Sequence, residues 1–337
     1  MPSKPLAYYL DAFTKLKQDT ASTGRHGFAA PHKPILVISL IQAFNKGLLS
    51  DEVVYLSPEL VSYFTSNWTY FVPASGYHPF IAQPFYHLSG EKRKWWHLKP
   101  NPGCETWIEN AGSMKSFRNL TSAVAYAEID TDLVTYLCDP QSRDLLFYAV
   151  VDKYFPHRAG THVSQLGDSF EQLSRDIIEK SPEEYRAEVE RERAEAAADP
   201  KFKDLFEQKV YARGGAFKKG IPYHYGQTCC ISGVKISATF NMSMIDACHV
   251  KDWAKSYDDT ITNGIALCPN LHRAFDRGMI SVDDNYQVIV SSRFTESVNA
   301  MYRFKELGGA PLLLPLESRF HPLLENFAWH RKHTFKR

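Results

Sequence analysis

Three residues in the last third of the 337-residue chain have the types and spacing of a hydrolytic site. They are His249, Asn263 fourteen positions on, and His272 nine further. Hydrolysis of a phosphodiester needs an activated water, a cation to take up charge on the leaving 3′ oxygen, and a fixed geometry between the two. A neutral imidazole at the end of a strand can take a proton from water near pH 7. A second imidazole, on a facing helix, can hold one divalent ion. An Asn side chain between them can tie the connecting loop and hold the base in one orientation. Asp246 is a carboxylate within reach of the same ion.

The elements that must position these groups lie between Cys229 and Gly278, which read as strand, turn, strand, loop and helix. Apolar β-formers lead up to His249, Asn263-Gly264 reads as a turn into the short run IAL, and a helix starts near Asn270. The segments IDACHV and NGIALCPNLHRAFDRG resemble the HNH endonucleases, whose fold is a ββα-metal finger. That resemblance implies His249 as general base, Asn263 as the orienting residue and His272 as a metal ligand, with Asp246 a weaker carry-over. It also implies a divalent metal cofactor, Mg or Mn. Many relatives carry an acidic residue just before the base, where this chain has Cys248. Many also brace the finger with zinc on two C-x-x-C pairs. Here Gly233 and Leu271 stand at the second positions after Cys230 and Cys268, and two thiolates are too few for a closed zinc site. Structural zinc is not expected, and Ile231, Ile236, Leu267 and Leu271 are expected to hold the finger by apolar packing.

Chain length predicts two or three domains. With 44% hydrophobic and 13% aromatic residues, substantial cores can form. No apolar run approaches the roughly 18 residues of a membrane span, and the N-terminus MPSKPLAYYLDAF lacks the pattern of a secretory signal. Six irregularly spaced cysteines suit reduced thiols in the cytoplasm. Net charge is +1, but residues 1–165 carry 15 basic and 14 acidic side chains, residues 166–209 carry 8 and 13, and residues 210–337 carry 16 and 11. The last third is the basic one, as a module gripping a polyanion should be.

The acidic middle reads as a helical connector. SFEQLSRDIIEK has one apolar face, SPEE is a helix start with Pro and carboxylates in the first turn, and Pro200 ends or kinks the run. Its reading is a solvated helix that sets the distance between a reader and a cutter. Upstream, PLAYYLDAFTKLK, PHKPILVISLIQAFNKGLL and SPELVSYFTSNWTYF read as helices, with Gly24-Arg25-His26-Gly27 a loop. QPFYHLSGEKRKWWHLKP reads as two short strands joined by a basic turn at Lys92, Arg93 and Lys94. The run Ala123 to Phe155 reads as two closing helices. Near the C-terminus ISVDDNYQVIVS reads as a hairpin, and a final helix carries basic residues from His330 to Arg337.

The order PHKP-helix, PELVSYF…W, PFYHL…WWHL and RDLLFYAVVDKYF resembles the sulfur-binding domain of modification-dependent restriction enzymes. Those enzymes join it to a C-terminal HNH module. The resemblance implies a reader of phosphorothioated double-stranded DNA. Sulfur in place of a non-bridging phosphate oxygen keeps the charge but gives a larger, softer, less hydrated atom. Pressing ordinary phosphate oxygen into an apolar dent costs on the order of a few kcal/mol of lost hydration, which sulfur tolerates. Pro84 and Phe85 are candidates for the wall of such a dent, and His32 and Lys33 for polar anchoring. Arg118 is a candidate to lay its stem over the pocket. Tyr77 and Pro79 in GYHPF offer a competing wall.

The expected architecture is therefore α+β. Residues 1–160 form a mainly helical, winged-helix-like DNA-reading domain, 161–212 a helical linker, and 213–337 a ββα-metal domain. The expected activity is phosphodiester hydrolysis near a phosphorothioate, by a homodimer because each finger holds one site. Two alternatives stand beside it: a nuclease directed to a methylated or hydroxymethylated base, and a non-cutting DNA-binding protein with a degenerate finger.

Overall fold

The computed structural model describes residues 2–20, 28–73, 76–110, 112–236, 243–297 and 303–337. The loop expected at Gly24-Arg25-His26-Gly27 lies outside these, as do residues 237–242 ahead of the His249 strand. The chain divides into two compact units. One comprises Met1–Phe170 with Glu195–Ala212, the other Glu171–Ala194 with Arg213–Arg337. Residues 161–212, expected as a helical linker, fall partly in each unit.

The first unit is mainly helical. Helix α1 (Leu6–Thr14) precedes α2 (His32–Asn45), which is buried continuously from Pro34 to Phe44. A nearly all-apolar sequence such as PILVISLIQAF, whose only polar side chains Ser39 and Gln42 are hydrogen-bonded inside, leaves no polar face for water, so α2 becomes the centre of the core, packed by α3 (Pro58–Phe71) and a later helix, Pro140–Tyr154. Ser57 caps α3 by accepting from the Leu60 amide, with Pro58 at the first helical position. A three-stranded antiparallel sheet has the order β1 (Val53–Val54), β3 (Val124–Ile129), β2 (Trp96–Pro100). Trp96 pairs with Ile129 and Val53 with Glu128.

Two expectations fail here. QPFYH is not a strand but lies in helix α4 (Ala82–His87). Its aromatic residues suit a strand equally well. The choice is made by Phe85, fully buried and edge-on to Trp96 at 5.0 Å, while the Trp96 indole Nε1 donates to the Phe85 carbonyl. Val124–Ile129, expected in a closing helix, is the central strand, which its β-branched and aromatic residues favour.

The second unit holds the finger. Strands β4 (Asp246–His249) and β5 (Gly264–Leu267) pair antiparallel, Asp246 opposite Leu267 and His249 opposite Gly264. A short helix, Pro269–Asp276, follows with Pro269 in its first turn. The expected hairpin is present as Ile280–Val282 with Val288–Val290, and Leu324–His333 closes the unit. Ile231, Leu267 and Leu271 are buried in the core as expected, but Ile236 is half exposed. Of the two outcomes expected at Pro200, the run ends rather than kinks: Pro182–Ala198 stops just before it, and Pro200 opens a new helix, Pro200–His224. Among the described residues, no helix is long and apolar enough to cross a membrane.

Candidate active site and metal centre

Strand β4 delivers the first group. Cys248 points into the core, and His249 beside it emerges at the strand end with its side chain 25% exposed. The imidazole lies flat on the Phe217 ring, centroids 3.9 Å apart and planes 3° from parallel. That stack depends on Gly264 across the ladder. Gly264 has an extended backbone (φ −124°) and is not the turn residue expected. It is required because a Cβ there would come within 2.1 Å of Ile221 Cδ1 and 2.9 Å of Phe217 Cε2.

Asn263 is fully buried and does what the loop needs. Its Oδ1 accepts from the Lys251 amide at 2.9 Å, and its Nδ2 donates to the carbonyls of Lys251 and Asp258 at 3.0 and 2.9 Å. It ties the 251–258 loop, but the ring of His249 is held by a residue that sequence reasoning missed. His249 Nε2 lies 2.9 Å from Asp259 Oδ1.

The second imidazole stands on the finger helix. His272 Nδ1 is 3.2 Å from Asp246 Oδ2, the carboxylate expected near it. Its Nε2 is 3.4 Å from Asp276 Oδ2, one helical turn on. Asp276 was also missed, although its i, i+4 spacing from His272 was visible in the sequence. Donor atoms of Cys248, His272 and Asp276 lie within 4.8 Å of one another. Burial drives the Cys248 thiol well above its ordinary range, and the neighbouring Asp276 adds to this. The Cys248 Sγ donates to Asp276 Oδ1 at 3.8 Å. His272 with a carboxylate at either ring nitrogen, Asp246 at Nδ1 or Asp276 at Nε2, is a donor set that fits a hard divalent cation such as Mg or Mn.

In the first unit, a cleft of about 500 Å³ is lined by Lys17, Gln18, His32, Lys33, Gln83, Pro84 and His87 among others. Three of the candidate reader residues, His32, Lys33 and Pro84, meet there. Four do not line it. Phe85 is in the core, Arg118 is exposed elsewhere, and Pro79 is half buried. Tyr77 packs edge-on against His32 and donates its hydroxyl to the Phe28 carbonyl. The anchoring roles also change. Burial lowers the His32 pKa to about 4, so the ring is neutral, and its Nε2 donates to the His78 carbonyl at 2.9 Å. Lys33 is paired with the buried Glu91. Of the loop basics, Arg93 pairs with Asp11 and Lys94 donates to the Ser89 carbonyl. His330, expected in a basic tail, is buried between Ser281 and Phe275.

Residues 229–283 match the model of an HNH endonuclease family, HNH_2. The second unit thus carries an HNH endonuclease domain, and His249, Asn263 and His272 lie within the matched residues. No curated protein matches the chain. Among solved structures, the modification-dependent TagI restriction endonuclease is 20% identical over 34% of this chain and 36% of that one, with a TM-score of 0.27. The chain thus spans just over a third of that protein. The type IV phosphorothioation-dependent restriction endonuclease ScoMcrA is 10% identical over 80% of this chain and 94% of that one, with a TM-score of 0.31.

Proposed function

We propose that this protein is a modification-dependent DNA endonuclease whose first unit reads phosphorothioated double-stranded DNA and whose finger cuts nearby, as a homodimer acting in the cytoplasm. The observation that carries the cutting half is that strand β4 ends on His249 and starts on Asp246, which meets His272 of the finger helix beside Asp276. His249 takes the proton from the attacking water. Asn263 keeps the loop between the strands closed, so the imidazole stays where the strand ends. His272 with the carboxylate at one of its ring nitrogens, Asp246 at Nδ1 or Asp276 at Nε2, would hold the divalent ion, which when bound neutralises charge on the leaving oxygen.

The reading half rests on the cleft at Pro84. A buried proline ring beside uncharged His32 gives an apolar, weakly hydrated wall. The Lys33–Glu91 pair cancels most of the local charge, and Lys17 and the carboxylate of Asp19 also line this rim. Such a wall strips water from ordinary phosphate oxygen without replacing it and penalises sulfur less.

The test compares nicking of phosphorothioated and ordinary plasmid in Mn²⁺ or Mg²⁺ by the full chain and by His249→Ala. Cutting confined to the sulfur-bearing plasmid and abolished by His249→Ala is expected. Equal behaviour of the two proteins would remove the catalytic assignment. Equal cutting of both plasmids would remove the targeting one.

A further inference from the structure

Asp259 is 3% exposed, and both its oxygens are used. Oδ1 faces His249 Nε2 at 2.9 Å, while Oδ2 accepts from Trp253 Nε1 at 3.0 Å and from the Tyr185 hydroxyl at 3.3 Å. Trp253 belongs to the four-residue helix that follows the β4 strand, started by the Asp252 side chain accepting from the Ala254 amide. Tyr185 comes from much earlier in the chain, on the charged helix Pro182–Ala198 that reads from sequence as a spacer.

That helix is not free in solvent at this point. Tyr185 and Val189 are buried. Arg213, 8% exposed, donates to Glu188 at 2.7 Å and to Glu192 at 2.5 Å, and its guanidinium lies 5.7 Å from the Tyr185 ring centre. The Tyr185 hydroxyl is therefore fixed relative to the finger. Two fixed donors on Oδ2 prevent the carboxylate from turning, and a carboxylate that cannot turn holds one ring nitrogen of His249. A carboxylate only accepts, so the proton of the neutral ring sits on Nε2 and the lone pair on Nδ1. Phe217 covers one face of the ring and removes the remaining freedom.

We propose that Asp259, clamped by Trp253 and Tyr185, is the positioning residue that makes Nδ1 of His249 the nitrogen that receives the proton, and that the helix Pro182–Ala198 is thereby part of the catalytic centre. This rests on the nuclease reading above. In the step it serves, the water proton passes to Nδ1 as the water oxygen bonds phosphorus. The bond to the 3′ oxygen breaks, and that oxygen takes a proton from solvent.

The test is the tautomer of His249 in the full chain, read by long-range ¹H–¹⁵N correlation on histidine-labelled protein at about pH 8.5, where imidazoles are neutral. The His249 signals are assigned by their loss in His249→Ala. The Nε2–H form is expected in the unaltered protein. Asp259→Asn should lose that preference, because an amide can donate as well as accept, and should cut about 10³-fold more slowly, as expected when a base is held in the wrong tautomer. Tyr185→Phe keeps the ring in its packing and should lower kcat about tenfold with KM unchanged. An Nδ1–H form in the unaltered protein overturns the proposal without any variant having to fold. So does an Asp259→Asn protein with unchanged signals and rate. If the Nε2–H form is found and depends on Asp259 but no DNA is cut, the positioning stands and the nuclease reading falls.

Discussion

Gly264→Ala is the sharpest test of how the base is held. A Cβ on the extended backbone at 264 would lie 2.1 Å from Ile221 Cδ1, 2.6 Å from Ile221 Cγ1 and 2.9 Å from Phe217 Cε2. Carbon atoms settle near 3.5 Å or beyond, so Ile221 or the strand must retreat by more than about 1 Å. Ile221 and Phe217 are both fully buried, so neither can swing into solvent. Overpacking of this kind costs about 1–3 kcal/mol, which for a unit of this size lowers Tm by roughly 2–12 °C. Phe217 lies flat against His249, so the displacement passes to the base. A shift of about 1 Å in a reacting group lowers the rate about 100-fold. Differential scanning fluorimetry and plasmid nicking read the two effects, with DNA affinity expected to be unchanged. Ile221→Ala in the same chain removes the two closest contacts and should restore part of both. If Gly264→Ala melts and nicks like the unaltered protein, the account of the stack is wrong.

Two further outcomes follow from the same unit. His330 is 2% exposed, accepts from Ser281 Oγ at Nδ1 and donates from Nε2 to the Phe275 carbonyl, and burial lowers its pKa to about 4. A folded pKa below the unfolded 6.5 means that the unfolded chain binds the extra proton. Stability is therefore full above pH 6.5 and is lost as the pH falls toward 4, by about 3 kcal/mol at most. Urea midpoints across that range should fall more steeply for the unaltered protein than for His330→Gln; parallel slopes would exclude His330 as the cause. Mn²⁺ should raise Tm, by about 2.7 kcal/mol of stabilisation when free metal is a hundredfold above its Kd. The gain should vanish in His272→Ala, shrink in Asp276→Asn and persist in Cys248→Ala, because hard cations prefer oxygen donors to sulfur; loss of the gain in Cys248→Ala would make the thiol a ligand.

Much of the finger was legible in the chain. The spacing of His249, Asn263 and His272 places them at a strand end, before a paired strand and on a helix, and the structure has them there. The cap at Ser57 and the hairpin at Ile280–Val290 were equally plain, because turn and cap chemistry acts within a few residues. Gly264 was visible as a glycine, but not its reason, which is the bulk of Ile221 and Phe217 more than 40 residues away. QPFYH was misread because its aromatic residues suit a strand and a helix alike, and the partner that decides, Trp96, comes eleven residues after Phe85. His32 and Lys33 read as free polar groups because burial and the pairing with Glu91 leave no local trace.

The sequence by itself determined the kind of chemistry: the imidazoles, the amide and the carboxylates present, and their order along a ββα segment. It did so because residue type and short-range periodicity are properties of the chain. Which carboxylate holds the base was decided only by tertiary structure. Asp259 meets His249 across a loop and Tyr185 across 74 positions. Contacts at that separation arise from burying distant apolar faces together, and local propensity does not record them.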